Sequence, residues 1–569
     1  MKNILIAIRS IFKKGRHNVM KIVSLGIGLA VGLVLIAKVY FEQSYDDFYP
    51  DRDRVYQVWA KYQQNGGELK DYPQTSGGIA PTMQQQIPEI ETVTRYTSFG
   101  DWTFTMTDTK MKYSGRCIIA DSCFFDILPR PMLIGNAKEV LSTPMYVLIS
   151  SRIAKNIGGD VIGKNFTVDN SPGRTMTIGG VFEEVPENSH SRYDVIVSMA
   201  SAGRFMWEGS PTNMLGNDRY ISYVKLHKGV NPLALEEQVR TFVNSYFPPE
   251  EQQKVGLSID FSFHKLDNLH KELPQVKRMT WILSLLAFAL IFTAVMNYIL
   301  IVISSIVNRS KEVAVHKCYG ASENNIHGMM FGEALVHIVL SLILALLLIL
   351  AFRGTVEELL ATSLDSLLLS NGSLVLLGIC ILVFFVSGFM PGSLYARIPV
   401  ASAFRNYREN KRIWKKALLL VQFVATGFLV TMLVFVARQY TFMVNDRPGY
   451  AYENLAYCGL AGVDSTSRAK ILDEVMRLPG VAAATTVYQL PFEHASGNNI
   501  LLPGGTQELF NIADLYWVGN GYLDMMEIPV IQGRSFTENV TNSREVMVDR
   551  RFVEKMKLVA GWTDDVVGK

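Results

Sequence analysis

The sequence predicts a helical membrane bundle of five spans joined to α+β domains outside the bilayer. Three observations carry this. Five runs, 22–37, 279–308, 334–352, 366–396 and 417–437, contain no Asp, Glu, Lys or Arg. Basic residues collect beside some ends of these runs and avoid others. Between the first two runs lie more than two hundred residues in which short β-type segments alternate with Gly, Pro and Asn turns. The chain has 569 residues, 49% of them hydrophobic, and a net charge of only +3, so it shows no basic excess for nucleic acid.

Residues 1–20 come first. Ile4, Leu5, Ile8, Ile11 and Phe12 fall at helical spacing opposite Lys2, Arg9 and Lys13, which predicts an amphipathic helix on the inner membrane face or on a partner. The first span is 21–41. Its charge-free run is short for a bilayer core of about 30 Å. Lys38 extends it by snorkelling, and Tyr40-Phe41 supplies an aromatic anchor. No small-x-small site follows, which argues against a cleaved signal peptide.

The segment 42–278 is predicted to be α+β. Strands are expected at Arg54–Ala60, Cys117–Ala120, Tyr146–Ser150, Thr175–Val181, Val195–Met199 and Tyr220–Leu226, and helices at Ala80–Gln86 and Pro232–Ser245. Cys117 and Cys123 fall here, where a disulfide is permitted but not required. Gly158, Gly163 and Lys164 imitate a phosphate loop, yet Asn165 replaces the Ser or Thr that would hold Mg²⁺, and a strand-linking turn is the better reading. His264 and His270 flank Asp267 and read as a surface cluster.

The remaining spans are 279–308, 334–352, 371–394 and 417–438. A charged segment, 309–333, separates the second from the third, and a basic loop, 395–416, precedes the fifth. Arg309, Lys311 and Lys317, the loop cations Arg397 to Lys416, and the N-terminal Lys and Arg then share one side, which the positive-inside rule makes cytoplasmic. Asn297, His337, Gln422 and Thr426 are the sparse polar residues within the runs. No run holds a carboxylate or Arg, which argues against a proton- or ion-coupled carrier. His337 is expected at the interface. Gly320 is placed to end one helix and Ser322 to cap the next.

The segment 441–569 repeats the first outer domain. Asp126, Pro131 and Gly135 recur with the same spacing as Asp524, Pro529 and Gly533, and Asp160–Lys164 recurs as Asp565–Lys569. The first copy runs on beyond its Gly-Lys. The second copy is therefore expected to be incomplete, the chain being cut short.

The pattern Arg309, Lys311-Glu312, Lys317, Gly320-Ala321-Ser322, Glu333-Ala334 resembles the coupling segment of FtsX/MacB-type ABC transporter permeases. Phe182–His190, followed by Tyr193-Asp194, resembles the MacB-like periplasmic core domain, as do Phe48–Tyr56, Ala80-Pro81 and Pro88–Glu91. The resemblance covers nearly the whole chain, in the order of a duplicated permease. It implies that Arg309, Lys311, Glu312, His316, Lys317, Gly320, Ala321 and Ser322 face an ABC ATPase subunit supplied in trans. His316 stands where the family usually has Arg. It further implies a second permease subunit, a periplasmic adaptor, the bacterial inner membrane, and ATP bound by the partner rather than by this chain. No catalytic motif, cofactor site or metal spacing is legible. Two functions compete: export or extraction of a lipoprotein, peptide or antibiotic, and signalling to an extracytoplasmic enzyme such as a cell-wall hydrolase.

Overall fold

The computed structural model describes residues 17–64, 69–169, 171–216, 218–370, 372–400, 413–446, 449–460, 463–491, 496–502, 508–536, 545–563 and 565–568. The chain divides into two compact units, 1–428 and 429–569. Most of the amphipathic segment 1–20 and of the basic loop 395–416 lies outside the described residues.

Five helices among the described residues are long and apolar enough to cross a membrane. They are α1 (Asn18–Gln43), α2 (Pro274–Ser304), α4 (Glu323–Ala351), α7 (Ser373–Ala396) and α8 (Ile413–Asn445). Between α2 and α4 lies α3 (Ile306–Cys318). Between α4 and α7 lie α5 (Arg353–Leu360) and α6 (Leu364–Leu368). Each span thus starts or ends within a few residues of its charge-free run. α1, α2, α4 and α8 begin before their runs, because backbone hydrogen bonding, not apolarity, decides where a helix starts and stops.

α1 is central. Its Leu25, Leu29 and Leu33 share one buried cluster with Ala294, Tyr298 and Ile299 of α2 and with Ile338 and Ala345 of α4. Close approach is built into the sequence: a Cβ on Gly28 would sit 2.3 Å from the Ala294 Cβ. Lipid gives no hydrophobic drive for helices to associate, so contact of this kind between small residues does the work.

Among the described residues, the α+β domain between α1 and α2 holds eleven strands. They are β1 (Val55–Gln64), β2 (Lys70–Tyr72), β3 (Ile90–Met106), β4 (Lys112–Ala120), β5 (Met132–Ile134), β6 (Tyr146–Ser150), β7 (Asn165–Val168), β8 (Ser171–Phe182), β9 (Val195–Ser198), β10 (Ile221–Leu226) and β11 (Leu257–Lys265). The pairing order is β11-β1-β10-β3-β4-β9-β6-β8-β5, with β2 on β1. β7 pairs with both β3 and β8, which closes β3, β4, β9, β6, β8 and β7 into a ring. Inward residues such as Phe104, Ile119, Ile149, Phe166, Ile178 and Val197 fill it. β3 serves two neighbourhoods: its first half pairs with β10 and its second with β4 and β7. The register shifts between Ser98 and Asp101, where Gly100 takes φ 73. A bulge with a left-handed glycine bends a strand in this way. A second core joins β1, β10 and β11 to the helices Ile79–Gln86 and Glu236–Tyr246.

All six expected strands and both expected helices are present, with ends shifted by a few residues. β2, β3, β5, β7 and β11 were not foreseen, although in β11 Leu257, Ile259, Phe261 and Phe263 alternate with Ser258, Asp260, Ser262 and His264 and offered the signal. The phosphate-loop imitation is a turn: Gly158, Gly159 and Gly163 all have positive φ, and Lys164 faces Asp108 at 3.8 Å. Cys117 is buried and Cys123 half-buried, and both are free.

The second unit repeats local features of the first. Gly135 and Gly533 have φ 86 and 85, and Gly163 and Gly568 have φ 77 and 83. The helix Ser151–Ile157 is capped by the Ser150 hydroxyl, which accepts from the Ile153 N–H, and ends at Gly158. Its counterpart Arg550–Ala560 is capped by the Asp549 carboxylate, which accepts from the Phe552 N–H, and ends at Gly561. The Tyr96–Ala120 pair is matched by the Val487–Val518 bridge. The unit also holds a helix, Ser465–Met476, and a hairpin of β12 (Ser496–Leu501) and β13 (Glu508–Leu515).

Candidate functional site

The short helix α3 and the buried charges that hold it form the candidate site. Its exit follows the sequence. Gly320 takes φ 86, and the Ala321 N–H returns to the His316 carbonyl at 3.0 Å. This is a Schellman ending, which needs a residue with φ > 0. The Ser322 hydroxyl then accepts from the Asn325 N–H and starts α4.

The structure divides the eight residues assigned to this segment. Arg309 points inward and is only 5% exposed. Its Nη2 meets the Glu333 carboxylate at 2.8 Å, and its guanidinium lies over the Tyr395 ring of α7 at 5.4 Å. Burial alone would lower the Arg309 pKa, but Glu333, Tyr395 and Glu312 outweigh it and hold the cation. Lys317 also turns inward. Its Nζ donates to the carbonyls of Ala396 and Ile398 at 2.7 and 2.9 Å. A cation there satisfies carbonyls that the end of α7 leaves open. Gly320, Ala321 and Ser322 make the turn. Lys311 and His316 are exposed, and Glu312 is partly exposed with its carboxylate 3.7 Å from Arg309 Nε. Val315 and Tyr319 stand exposed beside them, Tyr319 at 89%.

Sequence reasoning missed the rest of the anchor. Glu333, in the N-terminal half of α4, is 6% exposed and takes a second cation, Lys21 of α1, at 3.7 Å. The Asn18 side-chain oxygen accepts from Lys21 Nζ at 3.3 Å and from His337 Nε2 at 3.2 Å. His337 Nδ1 is then left to accept from the Tyr298 hydroxyl at 3.1 Å. The expectation of an interfacial His337 is therefore corrected: it is 1% exposed, because α1 and α2 both offer it partners. Lys21 had been counted only as a topogenic charge. Glu333 and His337 lie one turn apart on one face of α4, as Asn18 and Lys21 do on α1. Polar residues at that spacing beside an apolar run were the available signal.

One further site reading is corrected. His264 and His270 do not form a cluster. His264 stacks on Trp59 at 4.2 Å, whereas His270 reaches Glu42 at the far end of α1.

A helical bundle with an α+β domain inserted after its first span, and a charged helix clamped between the second and third, defines a multi-span membrane protein with a large domain outside the bundle. The comparisons agree. Residues 20–242 match the MacB-like periplasmic core domain, and residues 284–400 match the FtsX-like permease C-terminal domain. The chain belongs to the MacB/FtsX-like permeases. A crystal structure of a domain of a Porphyromonas gingivalis protein described as a permease is 33% identical, over 38% of this chain and 91% of that one, with a TM-score of 0.35. The periplasmic region of MacB from Actinobacillus actinomycetemcomitans is 16% identical, over 36% and 87%, with a TM-score of 0.25. The extracellular domain of the noncanonic ABC-type transporter YknZ from Gram-positive bacteria is 11% identical, over 36% and 98%, with a TM-score of 0.26. No curated protein matches the sequence.

Proposed function

We propose that the chain is the permease subunit of an ABC transporter in the bacterial inner membrane, with its N-terminus in the cytoplasm. A separate ATPase binds the ATP and docks on the outward side of α3. Its closure moves the bundle, and with it the periplasmic domain, to export or extract a substrate such as a lipoprotein, peptide or antibiotic. A second permease subunit completes the membrane part, and a periplasmic adaptor receives the cargo.

One observation carries this reading. α3 is pinned on one side and bare on the other. Arg309 and Lys317 fix it to α4 and α7, while Lys311, Val315, His316 and Tyr319 are exposed. A helix held in this way cannot swing alone, so a force on its bare face passes to the spans. Exposed apolar and aromatic side chains beside charges are what a docking face offers.

The test is Glu312→Lys, with Tyr319→Ser as a second variant outside the buried charges. A like charge placed in a complementary contact costs on the order of several kcal/mol. Both variants should insert normally and should fail to recruit or stimulate the ATPase in a reconstituted complex. An unchanged ATPase rate in both would place the contact elsewhere.

A further inference from the structure

The short helices α5 and α6 carry apolar residues on two sides. On the inner side Leu364 and Leu367 are buried, and Val356, Leu360 and Leu368 pack on the bundle. On the outer side Phe352, at the entry to α5, Leu359 and Leu369 are 59%, 78% and 81% exposed. Along α5, Phe352, Val356, Leu359 and Leu360 share one arc, and Arg353, Glu357 and Glu358 fall outside it. Arg353 is taken up by Glu357 at 2.9 Å and by Asp365 at 3.1 Å.

The bundle fixes the depth of this pair. α1 and α4 run in the same direction. Asn18 stands beside His337, the Ile22 carbonyl accepts from the Ser341 hydroxyl at 3.1 Å, and a Cβ on Gly26 would meet Leu344 at 2.9 Å. The offset between these partners is 318–319 residues, so the end of α4 at Ala351 comes level with Gly32 or Leu33 of α1. The aromatic anchor Tyr40-Phe41 lies about two turns, or about 10 Å, further along. α2 marks the same level independently. It runs opposite to α1, with Gly28 against Ala294 and Gly32 against Ile291, and this register brings Trp281, 78% exposed, level with Phe41. Tyr and Trp in this arrangement sit at the membrane interface. α5 therefore begins inside that interface. The rest of the pair stays close to it: Lys38 donates to the Thr362 hydroxyl between α5 and α6 at 2.8 Å, and a Cβ on Gly372, just after α6, would meet the Tyr40 ring at 2.5 Å. Helices that lie in an interface bury their apolar face about 5–10 Å into the boundary of headgroups and chains, which is the depth found here.

We propose that α5 and α6 form a lipid-binding surface, which sets Phe352, Leu359 and Leu369 among the lipid chains on the side of the α+β domain. The Ser363 N–H donates to the Glu187 carboxylate of that domain at 3.0 Å, so the same pair joins the lipid boundary to the domain. The surface needs no ATPase and stands apart from the reading of α3.

The full chain in phosphatidylcholine nanodiscs tests it. Nitroxides are attached singly at Leu359→Cys and Leu369→Cys after the native cysteines are replaced by Ala. Their collisions with oxygen, which partitions into lipid, are compared with their collisions with a water-soluble nickel chelate. Thr109→Cys in an exposed turn of the α+β domain gives the water reference, and Leu346→Cys on the half-exposed middle of α4 gives the lipid-core reference. Both labels should favour oxygen, at a depth of about 5–10 Å into the boundary and between the two references. Hydroxyl-radical footprinting of the unsubstituted chain should modify Phe352, Leu359 and Leu369 as little as Leu346, and Leu233, 71% exposed on the α+β domain, far more. A collision ratio at either label equal to that at Thr109 or at Leu346 would overturn the proposal, as would footprinting of Leu359 and Leu369 at the rate of Leu233. Labels that neither reagent reaches would overturn it too, since a second copy of the chain rather than lipid would then cover the pair.

Discussion

Replacing Glu333 by Gln removes one negative charge from between two buried cations and changes little else. The amide keeps the volume and one acceptor oxygen, so packing terms largely cancel. Arg309 lies 2.8 Å from one carboxylate oxygen and Lys21 lies 3.7 Å from the other. At an effective dielectric of about 20, these separations correspond to gross attractions of about 6 and about 4 kcal/mol. Desolvation of three ions offsets most of that in the intact cluster. The variant still carries the desolvation of both cations and has lost their partner. Breaking a buried pair in this way costs about 3–5 kcal/mol. The nearby hydrogen bonds do not make up the difference. Arg309 Nε and Nη1 have no hydrogen-bond partner among the described residues. The assay is reversible unfolding in mixed micelles titrated with SDS, on Glu333→Gln, Arg309→Met and the double variant. Glu333→Gln should lose about 3 kcal/mol or more, and the double variant should lose clearly less than the sum of the singles, with a coupling of about 2 kcal/mol. A loss below about 1 kcal/mol for Glu333→Gln, or strict additivity, would show that the charges are hydrated and that the anchor is not electrostatic.

Further tests address other parts of the fold. Gly28→Val puts a branched side chain where a Cβ already meets Ala294 at 2.3 Å; α1 and α2 must separate, at a cost of about 1–3 kcal/mol in the same unfolding assay. Lys317→Met removes two bonds to the end of α7, so hydrogen exchange at 396–398 should rise and stability fall by about 2 kcal/mol, while an unchanged exchange rate would mean that the carbonyls find other donors. For topology, Thr109→Cys in the exposed turn after β3 should react with a membrane-impermeant maleimide in intact cells, and the exposed Cys318 only after permeabilisation. Reaction of Cys318 in intact cells would invert the orientation.

How legible each feature was follows from its range along the chain. The five spans were visible because a bilayer imposes one rule on every residue of a run, and composition alone reports whether the rule is met. Local punctuation was equally plain. Gly320 and Ser322 close and open helices through bonds to residues three to five positions away, and the matched caps of the two repeats, Ser150 with Gly158 and Asp549 with Gly561, obey the same short-range chemistry. Strands with β-branched runs, such as Tyr146–Ser150, were found. β3 was not, since its two halves serve different neighbours and no single alternation spans the bulge at Gly100.

The sequence by itself therefore determined the number of spans, the α+β domain between the first two, the repeat, and a charged helix beside the membrane. Only the tertiary structure decided which charges work together. Lys21 and Glu333 are separated by most of the first unit, as are Glu42 and His270, yet each pair meets because α1 packs at the centre of the bundle. A hydrophobic pattern repeats and so declares its face. An ion pair has no period: it needs two particular atoms a few ångströms apart, and the fold alone fixes that distance. For the same reason Arg309 and Lys317, which the sequence offered as surface charges, turned out to be the inward fastenings of α3.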